Sequence, residues 1–181
     1  VAPELDAFRF ATYAGLTGIS KVSAGATLSD GAGVISALRA ATTKMDEDEV
    51  PMEGRLLFIT PTLKGLVEDM DTTKSREVMG RFAQLVLVPQ TRFYTAIDLQ
   101  DGTTSGEEAG GYIKNATSGK DINFMVIHKP ALLQYTKHTV NKIITPEQNQ
   151  TSDGWMFFYR AYGLADAYDN KLAGIYLHHK A

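Results

Sequence analysis

A helical repeat of apolar residues is clearest between Asp30 and Met45. Apolar side chains recur there at spacings of four, three and four residues, at Val34, Leu38, Ala41 and Met45. This spacing puts one apolar stripe on a helix, and Ser29 or Asp30 can cap its first turn by accepting a backbone hydrogen bond. We therefore predict a helix with one buried face, ended by the acidic run at residues 46–49.

A shorter helix is predicted over residues 2–13, where Leu5, Phe8 and Thr12 share one side. Acidic residues stand near its start, where they favour the positive end of the helix dipole. The glycines at positions 15, 18 and 25 then predict a loop. Their spacing matches neither a P-loop nor a dinucleotide fingerprint, so we predict no phosphate site there.

Two segments have the order of a buried strand, a proline and a helix. In the first, RLLFI from Arg55 leads to Thr60 as an N-cap and to Pro61 at the first helical position, where the missing N–H costs nothing. In the second, FMVI from Phe124 leads to Pro130 and to ALLQY, which we predict to be helical. With another buried strand expected at residues 85–89, these units predict an α+β fold in which helices pack on a mixed sheet.

Residues 98–120 are rich in glycine, serine and threonine, which predicts an exposed and mobile loop. The two adjacent glutamates within it would repel an anionic ligand, so a surface projection or a subunit contact is favoured over a ligand-binding lid. The candidate subunit-contact residues of this loop are Asp101, Glu107, Glu108, Tyr112 and Lys114.

Residues 155–162, WMFFYRAY, carry large aromatic side chains on both faces of a predicted strand. Such a strand is expected to be covered on both sides or to lie in a subunit contact. A turn at Asp169 and Asn170 is predicted to return the chain into LAGIYLH, so that the two segments form a hairpin.

Composition excludes several classes of protein. The 181 residues are 44% hydrophobic and 22% charged, which suits one compact unit or two small lobes. A net charge of -3 provides no basic field for phosphates, so we expect no specific binding of nucleic acid. The chain has no cysteine, and no apolar run approaches the roughly 20 residues that span a bilayer, so we expect no association with a membrane. Because it opens at Val1 rather than at a methionine, we expect it to be a piece of a longer protein.

No arrangement of catalytic or metal-ligating residues is apparent in the sequence. His178 and His179 are neighbours, and neighbours in a strand point to opposite faces. His128 stands at a strand end, where a capping or hydrogen-bonding role is favoured over general-base chemistry. We predict no catalytic residue, no cofactor and no metal, and therefore not an enzyme. A small enzyme or ligand-binding domain, with a pocket of convergent titratable groups, stays as the alternative.

The order of several motifs resembles the middle of the major capsid proteins of tailed bacteriophages. These motifs are VAPELDAFRFA at the start, a helix ending in TKMDEDEVP, and then GRLLFITP. The second half is similar as well, with NFMVIHKPAL, then ITPEQNQTSDGW, then YRAYGLADAYDNKLAGIY in sequence. The resemblance covers nearly the whole chain, and its motifs are structural rather than catalytic.

This resemblance implies a coat fold of the Hong Kong 97 type, with an axial domain of mixed sheet flanked by helices and a peripheral domain of long β-strands and a spine helix. Residues 1–25 would be a peripheral-domain segment near the spine helix, residues 26–150 the axial domain, and residues 151–181 closing strands that return to the peripheral domain. The N-terminal arm and the extended loop of the family are absent, so the chain would be a core fragment.

The function implied by the resemblance is that of a structural subunit of a phage or prophage capsid. Copies would self-assemble into the pentamers and hexamers of an icosahedral shell around DNA, in a virion assembled in the bacterial cytoplasm. The subunit's partners would be itself, a scaffolding protein, a portal and a maturation protease. An encapsulin-like compartment shell is the alternative within the same fold.

Overall fold

A computed structural model of the chain describes residues 2–24, 28–70 and 72–181. The helices are α1 (Ala2–Gly15), α2 (Gly31–Glu47), α3 (Pro61–Met70) and α4 (Thr73–Met79). The strands are β1 (Ser20–Ala24), β2 (Arg55–Ile59), β3 (Gln84–Leu87), β4 (Ile97–Gln100), β5 (Gly111–Lys114), β6 (Ile122–His128), β7 (Leu132–Ile144), β8 (Met156–Ala167) and β9 (Ile175–Lys180). Short 3-10 segments lie at Gln90–Arg92, Lys129–Ala131, Pro146–Gln148 and Asp169–Gly174.

Five strands form one mixed sheet in the order β1, β9, β6, β2, β3. The outer pairs, β1 with β9 and β2 with β3, are parallel, whereas β6 runs antiparallel to both of its neighbours. β6 lies at the centre, and its residues are buried from Ile122 to Ile127 without alternation, as expected of a strand covered on both faces. The mixed sheet predicted from the sequence is confirmed.

Helices α2, α3 and α4 cover one face of this sheet. The four residues predicted on the buried face of α2 are all completely buried, and they pack with Leu57, Ile59 and Phe124 of the sheet. Asp30 caps α2, because its Oδ1 accepts a hydrogen bond of 2.7 Å from the Gly33 amide. The prediction of this helix and of its face is confirmed.

The first unit of strand, proline and helix is also confirmed. β2 ends at Ile59 and α3 begins at Pro61, and Leu63 and Val67 of α3 are buried in the same core. Met70, at the end of the helix, is 37% exposed. None of the described helices is long and apolar enough to cross a membrane.

Helix α1 covers the opposite face of the sheet. The Phe10 ring stands edge-on to Phe58 at 5.3 Å and to Phe93 at 4.8 Å between centroids. Residues of α1 form a second core with β6 and β9, through Phe10, Tyr13, Ala14, Met125, Ile127 and Leu177. Leu5 and Phe8 lie on the outer side of α1 and are exposed, so the side that they share is not the buried one.

Arg55 is a buried cation at the start of β2. Its guanidinium Nε donates to the Pro51 carbonyl at 3.0 Å, and its Nη2 donates to the Val50 carbonyl. Its Nη1 lies 2.7 Å from Asp46 Oδ1. The side chain thereby holds the connection between α2 and β2. The acidic run at residues 46–49 ends α2, as predicted.

The helix predicted after the second proline is wrong. The chain makes only the 3-10 segment Lys129–Ala131 and then continues as the strand β7. The residues after Tyr135 include many β-branched side chains, which fit a pleated strand better than a helix, at Thr136, Thr139, Val140, Ile143 and Ile144. A five-residue helical segment also has little to offset the cost of helix nucleation.

The hairpin predicted around Asp169 is wrong as well. β8 pairs with β7 along its length, and β9 pairs with β6 and β1 in the main sheet. The segment Asp169–Gly174 carries the chain from one sheet to the other. Residues Ile175 to Leu177 are apolar without alternation, and in the main sheet both of their faces are covered.

The strand predicted at residues 85–89 forms as β3, but it is an edge strand rather than a buried one. Leu87 is 51% exposed, whereas Val88, just beyond the strand, is buried in the second core.

Candidate assembly surface

β7 and β8 form a long two-stranded sheet of their own. Twelve residue pairs join them, from Leu132 opposite Ala167 to Ile144 opposite Met156. At roughly 3.3 Å per residue, such strands span on the order of 40 Å. Among the described strands, neither edge of this hairpin pairs with a third strand.

The outer part of this hairpin exposes many large apolar side chains. Among its aromatic residues, the exposed fraction rises from 49% for Phe158 to 73% for Phe157. The exposed set is Tyr135, Val140, Ile143, Trp155, Phe157, Phe158, Tyr159, Tyr162 and Leu164. With about 150–250 Å² per aromatic side chain, the two faces of the hairpin together expose on the order of 800 Å² of apolar surface, so that each face alone is comparable to the largest apolar patch of a typical monomer, about 300–600 Å². A surface of this size marks a site of protein association.

The base of the hairpin is anchored on α1. Gln134 Nε2 donates a hydrogen bond of 2.7 Å to the Tyr13 hydroxyl, and Ala167 is buried in the core beneath α1. Burial raises the pKa of Tyr13 above its ordinary value. Gly163 lies where a Cβ would come within 3.1 Å of the Tyr135 carbonyl oxygen, which keeps the two strands close beside the anchor. The anchored base leaves the outer part free to meet a partner.

The two faces of the hairpin differ in charge. Residues directly opposite each other in an antiparallel pair share a face. One face, here called the neutral face, carries Thr139, Asn141, Ile143, Phe157, Tyr159 and Ala161. The other, here called the cationic face, carries His138, Lys142, Phe158, Arg160 and Tyr162, with Asp166 on the same face at the base of the hairpin. Lys137 occupies the bulge beside His138, and its Nζ lies 5.9 Å from the Tyr162 ring centroid, which places it on the cationic face.

The turn that joins the two strands is held by Asn149. Its Oδ1 accepts from the Thr151 amide at 3.1 Å and from the Thr151 hydroxyl at 2.8 Å, while its Nδ2 donates to the Gly154 carbonyl at 2.8 Å. These bonds supply local partners for polar groups at the end of the hairpin, which carries Glu147 and Asp153 as its acidic residues.

A second exposed feature is the acidic segment, here defined as residues 97–113. β4 and β5 pair antiparallel at its base, so the segment is exposed as predicted but contains a short ladder. Asp101 folds the turn, because its carboxylate accepts from the Thr103 amide at 2.7 Å and from the Thr104 amide at 2.8 Å. These hydrogen bonds hold the pKa of Asp101 well below its usual range, and the bond from the Thr104 amide has the largest effect. Hydrogen bonds from backbone amides lower the pKa of Glu108 in the same way, and the bond from the Gly106 amide has the largest effect.

Comparison with known proteins identifies the fold. No family model matches the chain, and no curated protein matches it in sequence. A chain from Mycobacterium phage Che8 superposes with a TM-score of 0.59 at 10% identity, over 98% of this chain and 58% of the matched one. A chain from the capsid structure of the cyanophage P-SCSP1u superposes with a TM-score of 0.56 at 15% identity, over 99% of this chain and 61% of the matched one.

The chain has a phage coat-protein fold. The resemblance drawn from the order of the sequence motifs is thereby confirmed at the level of fold. The chain spans about three-fifths of the length of the two matched chains.

The coat-protein fold separates the five predicted contact residues into two groups. Asp101, Glu107 and Glu108 lie together in the turn of the acidic segment, where Glu107 Oε2 accepts from the Asp101 amide at 3.2 Å. Tyr112 and Lys114 instead fasten the segment to the rest of the chain. The Tyr112 hydroxyl donates to the Thr91 carbonyl at 2.8 Å.

Lys114 belongs to a group of three charges that joins separate strands. Its Nζ lies 2.7 Å from Asp121 Oδ1, and Lys180 Nζ lies 3.1 Å from Asp121 Oδ2. Burial favours a raised pKa for Asp121, but the hydrogen bonds and charges of the two lysines outweigh it and lower the pKa. This group ties β5 to the start of β6 and to the end of β9.

The cationic residues of the hairpin were missed because the start of β7 was predicted as a helix. Without β7, nothing indicates that Lys142 and Arg160 share a face. The signal that would have found them is the run of β-branched residues after Tyr135, together with the aromatic strand that follows it.

The described residues were compared with the sites that metal-dependent and small-molecule-binding proteins use. No group of three or more His, Cys, Asp or Glu side chains there is arranged to hold a metal ion. A cleft of about 600 Å³ beside α2 is lined by Ile35, Met70 and short polar side chains, with Arg39 and Lys74 as its described charged residues. His178 is buried and bonded to Asn123 at 3.1 Å, away from its neighbour His179, which is partly exposed.

Proposed function

We propose that this protein is a structural subunit of a phage or prophage capsid. Copies associate into the pentamers and hexamers of an icosahedral shell that encloses DNA, and the protein has no enzymatic role. The observation that carries the proposal is the exposed aromatic hairpin on a fold shared with phage capsid structures. A coat subunit has many neighbours, and each neighbour needs a surface to bind.

The size and chemistry of the hairpin surface support association with other copies. An interface of ordinary size buries about 800 Å² on each partner, which is comparable to the apolar surface of the two faces of the hairpin taken together. Aromatic residues are enriched in such interfaces and carry much of the binding energy. Contacts between unlike surfaces, repeated from copy to copy, generate rings when the rotation closes. The hairpin therefore suits a subunit of a closed shell.

We place a second subunit contact in the turn of the acidic segment, at Asp101, Glu107 and Glu108. These carboxylates are ordered by backbone amides before any partner arrives, which reduces the entropy lost on binding. Tyr112 and Lys114 act in this contact indirectly, because they hold the segment in place.

The division into domains stays a prediction, with residues 1–25 as a peripheral segment, residues 26–150 as the axial domain and residues 151–181 as closing strands. Of these closing strands, β9 lies within the five-stranded sheet. The same proposal places the protein in the virion and its assembly in the bacterial cytoplasm. It also includes contacts with a scaffolding protein, a portal and a maturation protease.

Electron microscopy of the complete protein encoded by the gene, expressed with its genomic neighbours, tests the proposal. Closed shells or capsomer rings are the expected result. Particles that hold DNA support a capsid, whereas particles that hold a cargo enzyme indicate a compartment shell instead. Uniform monomers that never assemble would contradict the proposed function.

A further inference from the structure

The central part of the hairpin and the acidic segment carry opposite charges. Residues 134–145 and 155–165 of the hairpin contain Lys137, Lys142 and Arg160 and no acidic residue, whereas its turn carries Glu147 and Asp153 and its base carries Asp166. Residues 97–113 contain Asp98, Asp101, Glu107 and Glu108 and no lysine or arginine. Each of these two surfaces thus carries charge of one sign.

Among the described residues, neither set of charges forms an ion pair within one copy. The ion pairs found among the described residues involve other side chains, such as Lys114 with Asp121 and Arg92 with Asp6. Lys137 contacts the Tyr162 ring. The carboxylate of Asp98 accepts a hydrogen bond of 2.8 Å from the side-chain amide of Asn115, which carries no charge. Both surfaces therefore keep their charge for a partner.

The apolar side chains of the two surfaces match as well. Asp98 lies opposite Ile113 in the ladder of the acidic segment, so a carboxylate and an exposed apolar side chain share a face. On the cationic face, Arg160 and Lys142 alternate with the exposed rings of Phe158 and Tyr162. Each surface thus offers charge beside an apolar contact, and the charges are of opposite sign.

We propose that the cationic face of the hairpin in one copy docks on the acidic segment of a neighbouring copy. This inference rests on the proposed function and specifies the partner of the hairpin. Because the two surfaces differ, the contact is heterologous, and every copy that uses its hairpin still has its acidic segment free for the next copy. Complementary charges set the register and suppress wrong pairings, while burial of the aromatic rings supplies most of the affinity.

Binding of DNA to the cationic face is the competing explanation, because basic and aromatic side chains also occur together on surfaces for single-stranded nucleic acid. Three cations are few compared with the roughly 6–10 phosphate contacts of a firmly held duplex. The acidic segment, moreover, supplies a matching partner within the same chain. The observations therefore favour a second copy.

The test is a charge exchange in the complete protein. One variant carries Lys137→Glu, Lys142→Glu and Arg160→Glu, a second carries Asp98→Lys, Glu107→Lys and Glu108→Lys, and a third combines all six changes. Asp101 is left unchanged because it folds the turn. Assembled and free protein are separated by sedimentation and inspected by electron microscopy, after thermal unfolding has verified that each variant is folded.

Each of the first two variants is expected to lower the assembled fraction roughly tenfold or more, and the combined variant is expected to restore it. The matched control, Glu47→Lys with Glu49→Lys and Glu53→Lys, reverses three exposed charges in and just after the acidic run at residues 46–49 and is expected to assemble normally. If the unmodified protein assembles and the combined variant does not, the docking inference is overturned while the proposed function stands. If the unmodified protein does not assemble, the proposed function fails first.

A crosslinking experiment tests the contact without reversing any charge. The 181 residues contain no cysteine, so Arg160→Cys and Glu108→Cys introduce a reactive pair that a short-spacer bismaleimide can join. The double variant is expected to give a ladder of linked chains on a denaturing gel. Arg160→Cys with Glu49→Cys is expected to give none. Equal ladders from both pairs would overturn the inference. It would also be overturned if a labelled DNA bound the unmodified protein but neither the variant without the three cationic residues nor the combined variant.

Discussion

The side-chain amide of Gln134 donates a hydrogen bond of 2.7 Å to the hydroxyl of Tyr13, and this bond joins the base of the β7–β8 hairpin to α1. It connects residues that are far apart in sequence at the point where an exposed two-stranded sheet leaves a packed core. The position of the hairpin, and with it the geometry of any contact that the hairpin makes, depends on this anchor.

Removal of the Tyr13 hydroxyl is expected to weaken the anchor. Tyr13→Phe should lower the free energy of unfolding by about 1 kcal/mol, the typical net value of a hydrogen bond. The pKa of Tyr13 is raised in the folded protein above its ordinary value of 10.0. The neutral hydroxyl therefore contributes stability below pH 10.0, and this contribution is lost as the pH rises through the pKa of the folded protein. The variant should therefore lose less stability than the original protein in urea unfolding above that pH. Tyr159→Phe, on the exposed hairpin, is the matched control and should change neither quantity.

Replacement of Arg55 is expected to destabilise the fold strongly. Arg55→Ala removes the donors to the Val50 and Pro51 carbonyls and leaves a cavity, so we expect a loss of about 2–4 kcal/mol. Lys44→Ala breaks only the exposed ion pair with Asp48 and should cost less than about 0.5 kcal/mol. Urea denaturation of both variants measures the difference. Equal effects would show that Arg55 does not hold the connection between α2 and β2.

Two helical glycines should respond in opposite directions to alanine. A Cβ at Gly31 would lie 2.2 Å from the Leu66 carbonyl oxygen, so Gly31→Ala must push α2 away from α3, at a cost of about 1–3 kcal/mol. Gly65 has open space around its Cβ position and lies within α3, so Gly65→Ala should stabilise the protein by about 0.5–1 kcal/mol. Thermal unfolding separates the two outcomes, and a gain from Gly31→Ala would refute the close packing of these helices.

The stability of the protein should fall in mild acid, in part because of His178. Burial lowers the pKa of this histidine, and the nearby charge of His179 adds to the effect. The neutral ring therefore contributes stability above the ordinary pKa of about 6.5, and this contribution is lost as the pH falls through the folded value. His178→Gln keeps a partner for Asn123 and should show a smaller loss of unfolding free energy between about pH 7.5 and pH 5. The exposed His138→Gln should retain the original pH dependence, and identical profiles for both variants would count against this assignment.

Loss of the hairpin aromatics should separate assembly from folding. Phe157→Ser combined with Tyr159→Ser changes two exposed residues, so the free energy of unfolding should change by less than about 1 kcal/mol. The assembled fraction should nevertheless fall at least roughly tenfold, because large aromatic side chains carry much of the energy of an interface. Sedimentation measures assembly and thermal unfolding measures stability. Phe10→Ser, in the core beneath α1, should unfold the protein instead.

Much of the framework was predictable because it depends on local pattern. The face of α2 follows from the spacing between Val34 and Met45, and its cap follows from the chemistry of Asp30. β2, β6 and β8 were recognised as strands from their apolar or aromatic runs, and Pro61 marked the start of α3. The order of the motifs was enough to indicate the coat-protein fold, since several weak motifs in a fixed order are more specific than any one of them.

The tertiary structure decided which strands pair and which surfaces remain exposed. The pattern of β8 shows that its aromatic residues alternate between faces, but it does not say whether Phe158 lies opposite a residue of β7 or of β9. Strand pairing joins residues distant in sequence, and its register depends on packing across the whole sheet. For that reason the sequence by itself determined the elements and the fold class. Only the folded chain brought Lys142 and Arg160 onto one face, on which neither forms an ion pair with a described residue.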